Sequence, residues 1–114
     1  MTTAQKIIDG AAVKATIKTA EIDLEAFEFQ QILDDMNDML SEWADIGLTP
    51  AFARVSNSTD TVNISDNAVG AVKDALAIRI APSFSKPLTQ GMVLNANTSR
   101  SRLEASQIFI GEVA

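Results

Sequence analysis

The chain contains no cysteine, histidine or tyrosine among its 114 residues. These absences remove the commonest general base, the thiol nucleophile and the soft metal ligands. Without cysteine no disulfide can form. The five glycines are scattered, so the chain has no glycine-rich phosphate-binding loop. Carboxylates are the only catalytic candidates left, and the sequence predicts no enzyme, no metal site and no cofactor.

Long apolar runs are also missing, since none approaches the roughly 20 residues needed to cross a bilayer. We therefore expect no membrane partner. The composition, 46% hydrophobic and 21% charged, is that of an ordinary single globular domain. A net charge of −6 argues against general binding to phosphate backbones, because such binding requires clustered lysine and arginine.

The acidic residues are concentrated in one segment. Positions 21–45 hold nine acids and no base, whereas nine bases face six acids in the rest of the chain. From Glu25 to Asp45 the spacing predicts an amphipathic helix. Its apolar arc comprises Phe29, Ile32, Leu33, Met36, Met39, Leu40 and Trp43. Its opposite side, called the acidic face below, comprises Asp34, Asp35, Asp38, Glu42 and Asp45.

The acidic face has a simple interpretation and a functional one. The simple interpretation, which we favour, is a solvated surface that aids solubility. The functional one is a surface for a basic partner, or a repulsive lining that faces nucleic acid. Glu42 with Asp45, or Asp34 with Asp38, could form a glycosidase-type pair. A solvated helix face would not supply the required split between one raised and one normal pKa.

A central helix is predicted from Asp66 to Ile80, with Val69, Val72, Leu76 and Ile80 on one face. Ile78 points the opposite way, so the helix is either central in a core or pressed against a second molecule. Arg79 lies within the apolar arc. The helix dipole and burial of its aliphatic stem suffice to explain it, and an ion pair with the acidic helix is the alternative.

The remaining segments complete a mainly α fold, a small bundle of about four helices. The first helix is predicted from Thr3 to about Ile17 and the fourth from Leu88 to about Gln107. Between helices 2 and 3, β-branched residues flanking turn formers predict a short β-hairpin or an extended loop. We expect a single helical domain over 1–107 and an apolar, extended C-terminal docking tail over 108–114, which folds back or inserts into a partner.

Three stretches carry a family resemblance: M-T-T-A-Q-K-I-I-D-G-A at the start, I-L-D-D-M-N-D-M-L-S-E-W-A-D-I-G-L in the second helix, and D-N-A-V-G-A-V-K-D-A-L-A-I-R-I-A-P-S-F in the third. Their signature pieces are N-x-M-L-x-x-W (Asn37, Met39, Leu40, Trp43) and N-A-V…L-A-I-R-I-A-P (Asn67 to Pro82). From Thr2 to about Leu103, the order and spacing resemble the podovirus head completion proteins. These are the head-to-tail adaptors, or packaged DNA stabilisation proteins, typified by the P22 tail accessory factor.

The resemblance implies a helical bundle that assembles with itself as a dodecameric ring beneath the portal protein after genome packaging. The ring would extend the DNA channel, help retain DNA and seat a downstream tail or nozzle protein. DNA would pass through the lumen without sequence-specific binding, and an acidic lining would keep it from sticking. The protein would be made in the host cytoplasm and reside in the neck or tail of the virion.

The resemblance also suggests roles for particular residues. By position, the C-terminal segment would dock on the portal, with candidates Leu103, Ile108, Phe109, Ile110 and Val113. The surplus apolar side of the central helix and the predicted hairpin provide the subunit-interface candidates Ile78, Arg79, Val55 and Val62.

Two other functions remain open on the residues alone. The first is an acidic binding module or decoy that acts on a basic partner, in a complex sensitive to salt. The second is a carboxylate-based cell-wall hydrolase.

Overall fold

The computed structural model describes residues 2–19 and 21–113, with side chains described as far as Ser106. It contains four α-helices: α1 (Ala4–Lys14), α2 (Ala26–Asp45), α3 (Val69–Ile80) and α4 (Gln90–Val113). Short 3-10 turns, Asp66–Ala68 and Ala81–Phe84, lie on either side of α3. The mainly α fold predicted from the sequence is therefore confirmed.

Helix α3 is the centre of the bundle because it packs against α1, α2 and α4. Its side chains Val72, Leu76 and Ile80 are fully buried, and Ala71 and Ala77 are almost so. The small alanines allow neighbouring helices to approach on more than one side. Burial on several sides accounts for the apolar character of α3 without requiring a second molecule.

Helix α2 buries the apolar arc predicted from its periodicity. Met39 and Trp43 are each 4% exposed, and Ile32, Met36 and Leu40 are fully buried. At its start, the carboxylate of Glu28 accepts a hydrogen bond from the backbone N–H of Glu25 (3.0 Å). The guanidinium of Arg100, on α4, lies 5.5 Å from the centroid of the Trp43 ring, a cation–π distance.

The connection from α2 to α3 is an extended loop, the second of the two predicted alternatives, and no hairpin forms among the residues that the structure describes. The only β-bridge among them joins Thr3 and Thr61. The loop bonds to α1 and α2 and closes short turns on itself, such as the one in which the N–H of Asp60 donates to the carbonyl of Asn57 (3.1 Å). An isolated two-stranded hairpin is marginal in water, so contacts with the bundle decide the conformation.

The loop satisfies the free amides at the start of α1. The backbone N–H of Ala4 donates to the carbonyl of Asp60, and that of Gln5 to the carbonyl of Ser58, both at 2.9 Å. The hydroxyl of Thr3 accepts from the N–H of Lys6 at 3.4 Å. Three amides that have no partner within the helix are thus hydrogen-bonded.

Asp60 organises the turn that makes this cap possible. Its carboxylate Oδ2 accepts from the backbone N–H groups of Ser56 and Asn57, both at 3.0 Å. These hydrogen bonds, the one from Asn57 foremost, hold the pKa of Asp60 below its ordinary value of 3.8. The turn is therefore tied to the ionised form of Asp60.

Asn37 anchors the same loop to α2. Its Nδ2 donates to the carbonyl of Val55 (2.9 Å), and its Oδ1 accepts from the N–H of Val55 (3.0 Å). The side-chain amide pairs with the backbone as a neighbouring strand would. This explains the N-x-M-L-x-x-W piece, in which Asn37 holds the loop while Met39, Leu40 and Trp43 fill the core.

Helix α4 begins at Gln90 and continues to Val113, beyond the predicted end near Gln107. The backbone of residues 108–113 is therefore helical and not extended. Ala96 and Leu103 are buried, and Leu103 joins the common core. The predicted division between 107 and 108 remains a prediction.

Candidate interaction surfaces

The acidic face lies on the side of α2 away from the core. Asp34, Asp38, Glu42 and Asp45 are exposed, and Asp35 is half-buried. Exposure follows from the helical period, since the apolar arc of α2 turns the acids toward solvent.

Two of these acids are neutralised within the subunit. The guanidinium of Arg79 lies 2.7 Å from Oε2 of Glu42, and that of Arg54 lies 3.1 Å from Oδ1 of Asp38. The structure therefore contains the ion pair between Arg79 and the acidic helix, which was the alternative interpretation of Arg79. Both pairs are exposed, so each contributes at most about 1 kcal/mol to stability.

Asp35 has an altered acidity. Its pKa is raised above the ordinary value of 3.8, chiefly because burial withdraws water from the carboxylate. The positive charge of Arg79 opposes this rise, and the negative charges of Asp38 and Asp34 add to it. Asp35 therefore carries its negative charge at a cost in free energy to the folded state.

The subunit-interface candidates occupy different environments. Val62 is fully buried and belongs to the core, so its side chain is not on the accessible surface. Val55 is half-buried, packs against the core and is held by Asn37. Ile78 is half-buried and lies outside the core cluster, and Arg79 is exposed. Among the four, Ile78 and Arg79 are accessible on one helix.

Most of the portal-docking candidates fall outside the described side chains. This holds for Ile108, Phe109, Ile110 and Val113. The exception is Leu103, which is 2% exposed and packs in the core, so it is a structural residue of this subunit. The sequence alone does not reveal that α4 packs against α3 and that Leu103 lies in the core.

The sequence interpretation missed several exposed apolar residues. Phe27 is 67% exposed at the start of α2, and Leu94 is 58% exposed on α4. Ile22, Ile46 and Leu88 are also exposed. A signal for Phe27 was available, because it precedes Asp34 by seven residues and so lies on the acidic side of α2.

A polar cluster centred on Asp74 joins α3 to α1 and α4. The carboxylate of Asp74 lies 2.9 Å from Nζ of Lys14 on α1 and accepts from the hydroxyl of Ser99 on α4 at 2.7 Å. Asp74 is only 13% exposed. A cavity of about 120 Å³ adjoins it, lined also by Ala77, Met92 and Asn95. The hydrogen bond and ion pair connect α4 and α1 to α3.

Features expected of a catalytic or metal centre are sparse. In the part of the chain that the structure describes, no three acidic side chains are grouped so that they could hold a metal ion. The two carboxylate pairs considered for hydrolysis lie on an exposed helix surface, and Asp38 and Glu42 are bound to arginines. No helix in the described ranges has the length and apolarity to span a bilayer.

The fold and surface are those of a small helical protein with exposed acidic and apolar faces. Residues 2–111 match the sequence profile of the family described as P22 tail accessory factor, and the chain belongs to that family. It is therefore a bacteriophage structural protein of the tail accessory type and a component of the virion. Among the curated proteins, none matches the chain.

Proposed function

We propose that the protein is a head-to-tail adaptor that binds beneath the portal after genome packaging, as a dodecameric ring. The ring extends the DNA channel, helps retain the packaged DNA and seats the next tail or nozzle protein. The observation that carries this proposal is the family match over residues 2–111. The protein acts as a structural part and not as an enzyme.

The physical properties of the chain support the proposal. Phe27 and Leu94 are large apolar side chains that are 67% and 58% exposed, so both are available to a partner surface. The net charge of −6 suits a channel component past which DNA slides without being held.

The C-terminal residues 108–114 are proposed as the portal-docking segment. Removing them leaves Leu103 in the core and keeps the hydrogen bond from Asn67 to Ser106 (3.2 Å). We expect the shortened chain to retain its thermal unfolding transition and to lose most of its affinity for purified portal rings. Unchanged portal affinity would contradict the docking role.

The ring itself is tested by electron microscopy of the full chain mixed with portal rings. We expect one additional ring of density beneath the portal. A substitution of Lys6 to Ala, at an exposed position on α1, serves as the matched control and should bind like the native chain. A full chain that stays monomeric and ignores the portal under all conditions would refute the proposal.

The acidic binding module is less well supported than the adaptor. It requires free carboxylates, whereas Asp38 and Glu42 already pair with Arg54 and Arg79. It predicts a salt-sensitive complex with a basic protein that is lost when Asp34, Asp38 and Glu42 are neutralised. Portal binding that survives this neutralisation would favour the adaptor.

A further inference from the structure

The outward side of α4 is an unpartnered surface with two properties that point to its occupant. Leu94 is 58% exposed there, and Asn97, Thr98, Ser101 and Arg102 are exposed beside it. A shallow depression of about 420 Å³ lies among the last four residues and Ala105. Short side chains in a depression allow a neighbouring helix to approach closely. We call Leu94, Asn97, Thr98, Ser101 and Arg102 the α4 outer face.

The chain carries only positive charges between Asp74 and Glu104. From position 75 to position 103 the chain has four bases, Arg79, Lys86, Arg100 and Arg102, and no acid. Arg79 and Arg100 are used within the subunit, by Glu42 and Glu104. Among the described residues, Arg102 is exposed and takes part in no ion pair. The α4 outer face therefore offers a free cation next to an exposed apolar side chain.

The opposite combination is found on α2. Phe27 is 67% exposed, and Asp34 lies seven residues later on the same side. Asp34 accepts a hydrogen bond from Gln30 but, within the described ranges, pairs with no cation. Segment 21–45 contains nine acids and no base. The acidic face together with Phe27, here called the α2 outer face, thus offers a free anion next to an exposed aromatic ring.

We propose that the α4 outer face of one copy binds the α2 outer face of a second copy. Phe27 of one copy then lies against Leu94 of the next, and Asp34 lies against Arg102. The spacings agree, because Phe27 to Asp34 and Leu94 to Arg102 each span about two helical turns, roughly 10–12 Å at 1.5 Å per residue.

Two different faces meet in this contact, so it is head-to-tail and repeats around a ring when the rotation closes. The inference rests on the self-assembly that is part of the proposed function. It identifies the two surfaces through which neighbouring copies contact each other. Aromatic side chains that become buried at the centre of an interface contribute most to affinity. The opposite charges would fix register and make assembly sensitive to salt.

Charge exchange tests the contact on the full chain by sedimentation velocity. Arg102→Glu alone and Asp34→Lys alone should each weaken self-association at least about tenfold. The variant carrying both changes should recover to within about threefold of the native chain. Lys6→Glu, an exposed reversal on α1, is the control and should leave self-association unchanged. Single reversals without effect, or a double variant that does not recover, would overturn the proposal.

A cysteine pair tests the same contact on the portal, for the case in which the free chain sediments as a monomer. The chain has no cysteine, so Phe27→Cys combined with Leu94→Cys introduces the only thiols. Oxidation of portal-bound copies should give a ladder of covalent oligomers, whereas each single-cysteine variant can give dimers at most. Absence of the ladder would overturn the proposal.

The outcomes separate this inference from the proposed function. Portal binding without the cysteine ladder leaves the adaptor role intact and removes the α2–α4 contact. Self-association that follows the charge exchange, in a chain that ignores portal rings, supports the contact and removes the adaptor role. Loss of portal binding in Arg102→Glu, together with no ladder from portal-bound copies that carry Phe27→Cys and Leu94→Cys, would assign the α4 outer face to the portal and overturn the self-contact.

Discussion

At the scale of single residues, Asn37 connects a helix to a loop that has no regular structure of its own. It is 4% exposed and satisfies both backbone groups of Val55. When a buried polar group loses its hydrogen-bond partner, the folded state is destabilised by the full desolvation cost of that group. Substitution of Asn37 should therefore be more destabilising than the size of its side chain suggests.

Asn37→Ala should therefore lower the free energy of unfolding by roughly 2 kcal/mol, because two hydrogen bonds are lost. Chemical denaturation followed by tryptophan fluorescence would measure this through Trp43. Gln31→Ala, an exposed position on the same helix, is the matched control and should stay within about 0.5 kcal/mol of native. Equal stability of the two variants would refute the anchoring role.

Two aspartates are expected to affect the pH dependence of stability in opposite directions. The pKa of Asp35 is raised on folding, mainly by burial, so its ionisation destabilises the folded state. The pKa of Asp60 is lowered by backbone hydrogen bonds, so its ionisation stabilises the folded state. Below 3.8, the ordinary value for both, the first effect is absent and the second is progressively lost.

Asp35→Asn should thus be more stable than native at neutral pH, and Asp60→Asn less stable. Both differences should shrink as the pH falls, that of Asp35→Asn by the time the pH reaches 3.8 and that of Asp60→Asn at lower pH. Urea unfolding at a series of pH values would measure both curves. Differences that are independent of pH would show that neither carboxylate titrates as described.

At the scale of elements, the ends of the helices depend on backbone conformation. Gly47 follows α2 with a φ of +83°, in the left-handed region. Gly70 lies in the first turn of α3. A Cβ added at either glycine would meet no atom within 4 Å, so only the backbone distinguishes them.

This pair gives a prediction with opposite signs. Gly70→Ala should raise the free energy of unfolding by about 0.5 kcal/mol, because alanine restricts the unfolded chain and suits a helix. Gly47→Ala should lower it by about 1 kcal/mol, because alanine is strained at positive φ. Thermal unfolding of the two variants measures the difference, and shifts of the same sign would contradict it.

At the scale of the whole molecule, α3 determines the arrangement of the other helices. Its contacts with α1, α2 and α4 bring Leu76 and Ile80 to the middle of one core. Ile78, two residues from Leu76, is half-buried and outside that core. Substitutions at Leu76 and Ile78 should therefore affect different properties, the first the folding of the subunit and the second its assembly.

Leu76→Ala should destabilise the subunit by about 2–5 kcal/mol, because it opens a cavity in the core. Ile78→Asp should cost less than half as much and should impair assembly on portal rings instead. Chemical denaturation and portal co-sedimentation of both variants would measure the two effects. If Ile78→Asp unfolds the subunit, Ile78 is a core residue and its proposed interface role is lost.

The order of residues along the chain is enough to predict the helical class, the apolar arc of α2 and the acidic face opposite it. These three features follow from the helical period of 3.6 residues, which is a local property of the sequence. The N-x-M-L-x-x-W and N-A-V…L-A-I-R-I-A-P pieces also carry the resemblance to the family. Hydrophobic spacing along one helix is visible without knowledge of its neighbours.

Contacts between residues that are far apart in the chain became visible only in the folded structure. Asn37 and Val55 are 18 residues apart, and only folding shows that they replace the predicted hairpin with an anchored loop. Leu103 became core and Arg79 became the partner of Glu42 for the same reason. The exposure of Phe27 and Leu94 likewise depends on how helices pack, because an apolar side chain alone does not reveal which neighbour covers it.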